Sequence, residues 1–483
     1  MSQIPTTLTT DSGAPVADNQ NSLTSGSRGP VAIFDTVLIE KLAHFNRENI
    51  PERRVHAKGA AAYGTFTVTH DIRQLSRAAL FSAVGKQTPV FLRFSSVIGS
   101  RGSADTVINP RGFAVKFYTE EGNWDVVGNN TPVFFIRDPI KFPDFIHSQK
   151  PDPQTNRPNA ERQWDFLSLS PESLHQVTIL FSDRAIPDGY RHMHGFGSHT
   201  FSLINQANMR TWVKWHFETQ QGIRNLTTAE GERLAGIDPD YATNDLFDAI
   251  ARGDFPRWTV RLQTMTETQA TDALENPFDV TKIWPHDRFP LIDVGVLELN
   301  RNAENYHAEI EQSALSPANV VPGIGLSPDR MLQGRVFAYP DAQRYRIGTN
   351  YLQLPVNAPL SPAKNYQRDG AMASGANGGA SINYEPNSDA DTPKQDLSAG
   401  EPLLRQGGAT ARYNHRVDID YYSHPRALFN LMTPAEKEVL FSNIGGAMAG
   451  VSDAVVRRQL ANFAGVSAEY AQGVAAKLGV AWP

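Results

Sequence analysis

The 483-residue chain is long enough for roughly three domains of average size, and its composition excludes several kinds of site. It contains no cysteine, so a metal would need His, Tyr, Asp or Glu ligands, or would arrive inside a cofactor. The 45 Lys and Arg residues against 51 Asp and Glu residues leave no basic excess for a nucleic acid. Neither a signal-type N terminus nor a stretch of about 18 apolar residues occurs, so we expect a cytoplasmic protein outside the membrane.

The first predicted elements are a polar arm and a short helix. Residues 1–28 are rich in Ser, Thr and Asn, whereas residues 34–46 place Leu38, Leu42 and Phe45 at helical spacing. From residue 63 onward the apolar period changes to two, which predicts β-strands. About eight strands with helical insertions predict a β-barrel or a β-sandwich. The predicted strands lie near residues 63–69, 89–97, 113–118, 133–136, 177–181, 200–205, 211–217 and 258–264.

The C-terminal part of the sequence changes character twice. Residues 300–420 show little periodicity and include a segment rich in Gly, Ala, Ser and Asn. We therefore expect irregular chain, interrupted by one helix, that wraps over another domain or builds a site. The chain then becomes helical again: Thr433 and Glu436 form a capping box around Pro434, and Leu460 and Phe463 lie on the apolar face of a following helix.

The helix within the irregular region carries the most informative side chains. Ser327 is its expected N-cap, and Pro328 suits the first turn. Arg335 and Tyr339 lie one turn apart, so a guanidinium would adjoin a phenol and favour the anionic form that binds ferric iron. If the helix bends rather than stops at its internal proline, Arg346 shares the same face. Taken alone, such an Arg–Tyr pair is more commonly an Arg stacked on a surface Tyr.

Two separate segments carry a family resemblance. The first, RVFAYPDAQ at residues 335–343, resembles the haem-ligand motif of the monofunctional haem catalases. The second, FNR at residues 45–47 followed by ERRVHAKGAAA at residues 52–62, resembles the distal active-site signature of the same family. The resemblance extends over nearly the whole chain, and the length is similar to that of the small-subunit branch, which carries haem b.

The resemblance implies an architecture and a reaction. The fold would be of the α+β class, with an antiparallel eight-stranded β-barrel. An N-terminal arm (1–55) would precede the haem-containing barrel domain (56–302), a wrapping segment with the haem-ligand helix (303–420) and a C-terminal helical domain (421–483). The reaction would convert hydrogen peroxide to water and dioxygen through a ferryl porphyrin radical. The family also implies a homotetramer with interlocked arms.

The resemblance also implies a role for each candidate residue. Tyr339 would be the iron ligand, His56 would transfer protons, Ser95 would orient the His56 ring, and Asn129 would offer its amide to the peroxide. By pattern alone, a histidine such as His56 is more often a core histidine, and Asn129 could be only a turn residue. Arg93, Ser95 and Val97 could equally form a half-polar strand face toward solvent. The other haem-pocket candidates are Arg53, Arg93, Phe134, Phe142, Arg335, Arg346, His199 and Asp329.

A second ligand is implied less directly. Some catalases bind NADPH, and the matching positions here are His175, Ser182, Arg184 and His286. No G-x-G-x-x-G motif follows a strand, so composition alone would not have predicted a nucleotide. Two positions depart from the family pattern. Glu218 stands where many NADPH-binding members have Lys, and Asn109 stands where an Asp is usual in the main channel.

Two alternative functions remain open at the level of sequence. The first is a relative of the same fold that rearranges fatty-acid hydroperoxides or acts chiefly as a peroxidase, although Val55 beside His56 resembles the catalase form. The second is a non-enzymatic β-rich protein in which Tyr339 and His56 are core residues. A Soret band would exclude the second alternative, and dioxygen release from peroxide would exclude the first.

Overall fold

A computed structural model describes residues 7–404, 407–416 and 419–483. The chain falls into two compact units, Met1–Glu52 and Arg53–Pro483. The first unit contains the predicted helix as α1 (Thr36–Phe45). Asp35 caps this helix, because its carboxylate accepts hydrogen bonds from Leu38 N at 3.1 Å and from Leu23 N at 2.8 Å. The cap therefore fixes a part of the preceding arm to the start of the helix.

The second unit is built on a closed antiparallel sheet, as predicted. Its strands are β1 (Gly59–Val68), β2 (Gln87–Ser96), β3 (Arg111–Thr119), β4 (Gly122–Asn129), β5 (Gly195–Phe196), β6 (Phe201–Ile204), β7 (Arg210–Thr219), β8 (Arg257–Thr266), β9 (Ile292–Asn302) and β10 (Ile324–Gly325). They pair in the order β8, β9, β1, β2, β3, β4, β5, β7, and β7 pairs again with β8, which closes eight of the described strands into a barrel. β6 pairs with the first half of β7, and β10 pairs with β6.

Both faces of the barrel wall are buried near β2. Leu92 and Phe94 belong to the apolar cluster that fills the barrel. Since alternate side chains of a strand point to opposite faces, Arg93 and Ser95 lie on the other face. They are nevertheless buried, at 4% and 2% exposure. The alternative of a solvent-exposed polar face is therefore wrong, and the outer face of β2 is available to build a site.

Helices cover the barrel and form the C-terminal region. The last of them share a second apolar cluster with α3 and α4. The predicted capping box of Thr433 and Glu436 is present, with Pro434 in the first turn. Leu460 and Phe463 are buried as predicted. The helices are α2 (Phe142–Gln149), α3 (Ala160–Ser168), α4 (Leu174–Leu180), α5 (Thr228–Ile237), α6 (Tyr241–Ala251), α7 (Glu267–Thr271), α8 (Arg330–Arg346), α9 (Ser423–Leu431), α10 (Pro434–Ala447), α11 (Asp453–Val466) and α12 (Ala468–Leu478).

Two predicted strands are wrong. Residues 177–181 lie largely in α4, which is buried on nearly all sides, so its apolar run shows no helical period. Residues 133–136 form no strand; Phe134 N instead donates to Val280 O in an isolated hydrogen bond. Burial of Val133 and Ile136 in a core explains the apolar run without a sheet. No strand was predicted at β4 or β9, or at the two-residue strands β5 and β10.

The described part of residues 303–420 is largely irregular and contains one long helix, as its sequence pattern indicates. It contains a π-helical turn (Tyr306–Glu311), the short β10, α8 and brief 3₁₀ turns. Among the described residues, no helix combines the length and the apolar character needed to cross a membrane.

Candidate active site

A cavity of about 190 Å³ brings together residues that are far apart in the sequence. Part of its lining comes from the chain around β1, β2 and β4, and part comes from α8. Apolar side chains such as Val97 and Met331 complete the wall. Seven of the predicted site residues line this cavity: His56, Asn129, Phe134, Phe142, His199, Arg335 and Tyr339.

His56 is held by three hydrogen bonds on one side of the cavity. Its backbone N–H donates to Val97 O, its carbonyl accepts from Arg93 Nη2, and its Nδ1 meets Ser95 Oγ, each at 2.9 Å. Its φ is +66°, a left-handed conformation that is uncommon for a residue with a side chain. Burial, together with the positive charges of Arg93 and Arg335, lowers the pKa of His56 from 6.5 to about 3. The ring is therefore neutral at neutral pH.

Asn129 and two phenylalanines complete this side. Asn129 ends β4 and is paired with Gly112 of β3 and Phe196 of β5. It is thus a strand residue rather than a turn residue. The rings of Phe134 and Phe142 are stacked at an interplanar angle of 28°, with centroids 6.3 Å apart. Both rings line the cavity that also contains His56.

Another part of the cavity wall is formed by α8, which begins two residues later than expected. Asp329, not Ser327, is the N-cap, because its carboxylate accepts from Leu332 N at 3.1 Å, while the Ser327 hydroxyl donates to Thr200 O at 2.5 Å. The helix continues through its internal proline to Arg346. The predicted common face therefore exists.

Arg335 and Tyr339 are in contact on this face. Arg335 Nη2 donates to the Tyr339 hydroxyl oxygen at 2.5 Å and to Val127 O at 2.8 Å. The second bond fixes the guanidinium against the barrel. A positively charged donor so placed stabilises negative charge on the phenol oxygen.

His199 and Asp329 form a second pair on the same side. His199 Nδ1 and Asp329 Oδ2 are 2.7 Å apart, and both side chains are almost fully buried. Burial is the main cause of the lowered pKa of His199, and Arg335 contributes to it, whereas Asp329 opposes it. The hydrogen bonds thus give two pairs, Arg335–Tyr339 and His199–Asp329, linked by the electrostatic effect of Arg335 on His199.

Two guanidinium groups lie at the buried carboxylate of Glu311, and a third, that of Arg93, interacts electrostatically with this group. Arg53 and Arg346 lie 3.6 Å and 3.5 Å from it, and both also donate to backbone carbonyls of residues 310–313. Burial, followed by the charges of Arg93 and Arg346, lowers the pKa of Arg53 well below its usual value. Within the described chain, Arg53 Nη1 and Arg93 Nε have no hydrogen-bond acceptor. The cluster therefore carries an excess of buried positive charge and unused donors.

Comparisons with known proteins agree with one another. The family model described as catalase matches residues 9–391, and a model described as catalase-related immune-responsive matches residues 415–478. The catalase of the Onchocerca volvulus endobacterium is 68% identical over 98% of both chains, and catalase A of Pseudomonas putida is 67% identical over the same shares. A fungal catalase structure covers 98% of this chain and 95% of its own at TM-score 0.94 and 42% identity. Catalase A from Saccharomyces cerevisiae covers 98% of both at TM-score 0.92 and 43% identity.

This chain belongs to the catalase family. It is therefore an enzyme that disproportionates hydrogen peroxide to water and dioxygen, and its family implies haem as the cofactor. The residues present fit that group. The cavity is lined by the phenol of Tyr339, the neutral imidazole of His56 and the aromatic rings of Phe134 and Phe142. The unused donors of Arg53 and Arg93 suit the carboxylates that a haem carries.

The four predicted NADPH residues lie around two cavities that share Arg184. One, of about 290 Å³, is lined by Arg184 and His286, and the other, of about 760 Å³, by His175, Ser182 and Arg184. His175 is buried in α4, and its Nδ1 has no hydrogen-bond partner among the described residues, whereas Arg184 is exposed. Glu218 lines the smaller cavity and pairs with Arg261 at 2.8 Å.

Asn109, the second departure from the family pattern, is occupied by the backbone. Its Oδ1 accepts from Val97 N at 3.0 Å and from Ile98 N at 3.3 Å, and the residue is 8% exposed. Since Val97 O also holds His56 N–H, the Asn109 amide supports the segment that holds His56.

Two residues at the site escaped prediction. Glu311 lies in the π-helical turn, a local structure that no sequence period announces. Gly112 of β3 lies directly beside Ser95 and His56. A glycine within a strand pattern is a known sign of close approach, so this signal was readable.

Proposed function

We propose that peroxide is disproportionated in the cavity between His56 and Tyr339, with haem b held there. The observation that supports this site is that both residues line the same cavity, although they come from segments far apart in the chain. Tyr339 would hold the haem iron, and Arg53, Arg93 and Arg346 would bind the propionates. When bound, the haem supplies the iron at which the oxygen–oxygen bond is cleaved.

His56 has the properties of a proton carrier. With a pKa near 3 it is an unprotonated base over the neutral range. Because Nδ1 is engaged by Ser95, Nε2 is the atom left to exchange a proton. In the proposed role, Nε2 takes a proton from one peroxide oxygen and returns it to the other, so that water can leave. Ser95 fixes the ring plane during both transfers.

The other side chains position the reactants. Asn129 donates its amide to the second peroxide oxygen, and Phe134 and Phe142 keep bulk water away from His56. On α8, Arg335 donates to the phenol oxygen of Tyr339, and the buried His199–Asp329 pair lies close enough for Arg335 to act on His199 electrostatically. Together these groups would support the Tyr339 oxygen as a ligand of the haem iron, and an electron-rich oxygen ligand would favour cleavage of the peroxide bond.

Absorbance and oxygen release test this function together. The purified enzyme is expected to show a Soret band with a high-spin ferric pattern and to release one dioxygen for every two peroxide molecules consumed. Peroxide loss that requires an added organic electron donor would instead indicate a peroxidase. A chain without a Soret band after expression with haem supply would refute the proposal.

The finer assignments follow from the family resemblance. We propose the small-subunit type, and the chain length of 483 residues supports it. A homotetramer, a cytoplasmic location and the division at residues 55, 302 and 420 remain predictions.

We also propose that the two cavities sharing Arg184 bind NADPH, with Glu218 as a weakening element. Arg184 and the buried Lys214 supply positive charge, and aromatic and imidazole rings supply stacking surfaces. Burial lowers the pKa of Lys214 to about 8, so it remains largely protonated at neutral pH. The Glu218 carboxylate would repel a phosphate placed beside it.

Equilibrium dialysis with labelled nucleotides tests this assignment. We expect Glu218→Lys to tighten NADPH binding by about tenfold and to change NADH binding much less, because only NADPH carries the 2′-phosphate. Glu218→Gln, which removes the charge without reversing it, should fall between the two. Failure of the native enzyme and of both variants to retain NADPH at micromolar concentration would refute the site.

A further inference from the structure

Four residues form one row across three pairs of neighbouring strands. Gly59 of β1 is paired with Ser95 of β2, Ser95 with Gly112 of β3, and Gly112 with Asn129 of β4. Residues paired across adjacent strands project to the same face of the sheet. Ser95 and Asn129 thus lie on one face with a glycine between them. The His56 ring occupies the space above that glycine, as the following distances show.

A side chain at Gly112 would enter that space. A Cβ built there would lie 2.7 Å from His56 Nδ1, 3.1 Å from His56 Cε1 and closer still to Ser95 Oγ. Ordinary contact begins at 3.4 Å, so Nδ1 alone would have to move by about 0.7 Å. The atoms displaced are those that form the 2.9 Å hydrogen bond between His56 and Ser95.

Backbone conformation gives no separate reason for glycine at this position. Gly112 lies in a regular strand and does not have a positive φ, unlike many other glycines of this chain. A residue with a side chain would therefore be unstrained there by its own dihedral angles. What excludes a side chain is the space taken by His56 and Ser95.

The His56 ring has little freedom to adapt. Its backbone N–H and carbonyl are bonded to Val97 and Arg93, and its φ is already in the left-handed region. A side chain at Gly112 could therefore displace the His56 ring only by changing the side-chain torsion angles of His56. The Ser95 hydroxyl can rotate away, but only by losing its bond to Nδ1.

We propose that Gly112 is a positioning residue for the peroxide reaction: by lacking a side chain it seats the His56 ring against β3, at hydrogen-bond distance from Ser95. This inference rests on the proposed role of His56. The group that exchanges protons is His56, and Gly112 acts only through the position of that ring.

The test is Gly112→Ala in the haem-loaded enzyme. We expect kcat/KM for peroxide to fall by about tenfold to a hundredfold per bound haem, the usual effect of misplacing a catalytic group by up to about 1 Å. A crystal structure of the variant should show a His56 Nδ1 to Ser95 Oγ distance longer than 2.9 Å. Since the ring then loses its partner on Nδ1, the pH profile of kcat/KM should also change.

A second glycine provides a matched control. Gly295 of β9 is also a close-approach position, where a Cβ would lie 2.5 Å from the ring of Phe66 rather than near His56. Gly295→Ala should lower the thermal midpoint but leave the pH profile and kcat/KM per haem unchanged. A change of the pH profile in this control equal to that in Gly112→Ala would mean that crowding anywhere in the barrel suffices, and would overturn the proposal.

A second background keeps the test informative if Gly112→Ala alone folds poorly. In His56→Ala the ring is gone, so adding Gly112→Ala should cost little thermal stability or haem content. An equal loss of stability with and without the His56 ring would overturn the steric argument.

Normal activity of Gly112→Ala with an unchanged Nδ1 to Oγ distance would overturn the proposal as well. Normal turnover of His56→Ala alone would instead refute the proposed function, and the distance measurement would remain valid.

Discussion

Replacing His56 by alanine is expected to lower kcat for dioxygen release by about 10²- to 10⁴-fold, the contribution of a well-placed general acid–base group. The reason is that Ser95 holds Nδ1 of the neutral His56 ring, which leaves Nε2 to exchange protons in the cavity. Haem should stay bound, since the proposed ligand Tyr339 and the arginine cluster are untouched. The measurements are oxygen release per haem and the Soret band.

A buried histidine elsewhere serves as the control for that variant. His192 is 5% exposed and its Nδ1 meets Gly222 O at 3.0 Å, so it has a similar environment without lining the cavity. His192→Ala should change turnover per haem by less than about twofold, whatever it costs in stability. Turnover of His56→Ala within the range of His192→Ala would remove His56 from the mechanism.

Replacing Tyr339 by phenylalanine is expected to abolish most haem retention. The substitution keeps the ring and its packing but removes the oxygen that meets Arg335 at 2.5 Å. Without an anionic oxygen the proposed iron ligand is lost, and the Arg335 guanidinium is left facing an apolar ring. Haem content per chain, measured from the Soret band and by iron analysis, should fall to a small fraction of that of the native enzyme.

Tyr345 on the same helix is the matched control for this second variant. It is 82% exposed, so Tyr345→Phe should leave haem content and the Soret band unchanged. Far-ultraviolet circular dichroism should report a similar helix content for both variants. Full haem occupancy with an unshifted Soret band in Tyr339→Phe would refute axial ligation by this residue.

Local signals predicted local structure well and tertiary choices poorly. The capping box at Thr433 was readable because both of its bonds lie within four residues. The start of α8 was misplaced because Ser327 donates its hydroxyl to Thr200, a partner remote in sequence, which leaves Asp329 as the cap. The run at 177–181 was misread as a strand because burial on several sides erases the helical period.

In the site too, contacts between residues close in sequence were predictable and contacts that depend on tertiary structure were not. One turn of helix brings Arg335 to Tyr339, so that pair was predictable from spacing. The convergence of Arg53, Arg93 and Arg346 depends on barrel closure and on the path of the wrapping segment, and it was reached only through family resemblance. Burial of both faces of β2 likewise could not be read from its alternating pattern.

The arginine cluster around Glu311 has a consequence for how the protein matures. Its members belong to the chain before β1, to the barrel wall and to the end of α8, and one carboxylate cannot balance three cations. A ligand that brings two further carboxylates relieves this repulsion and, by binding only the assembled form, stabilises the closed arrangement of these three segments. Haem supply during synthesis would thus govern the yield of folded protein as well as its activity, because the cofactor would hold these three segments together.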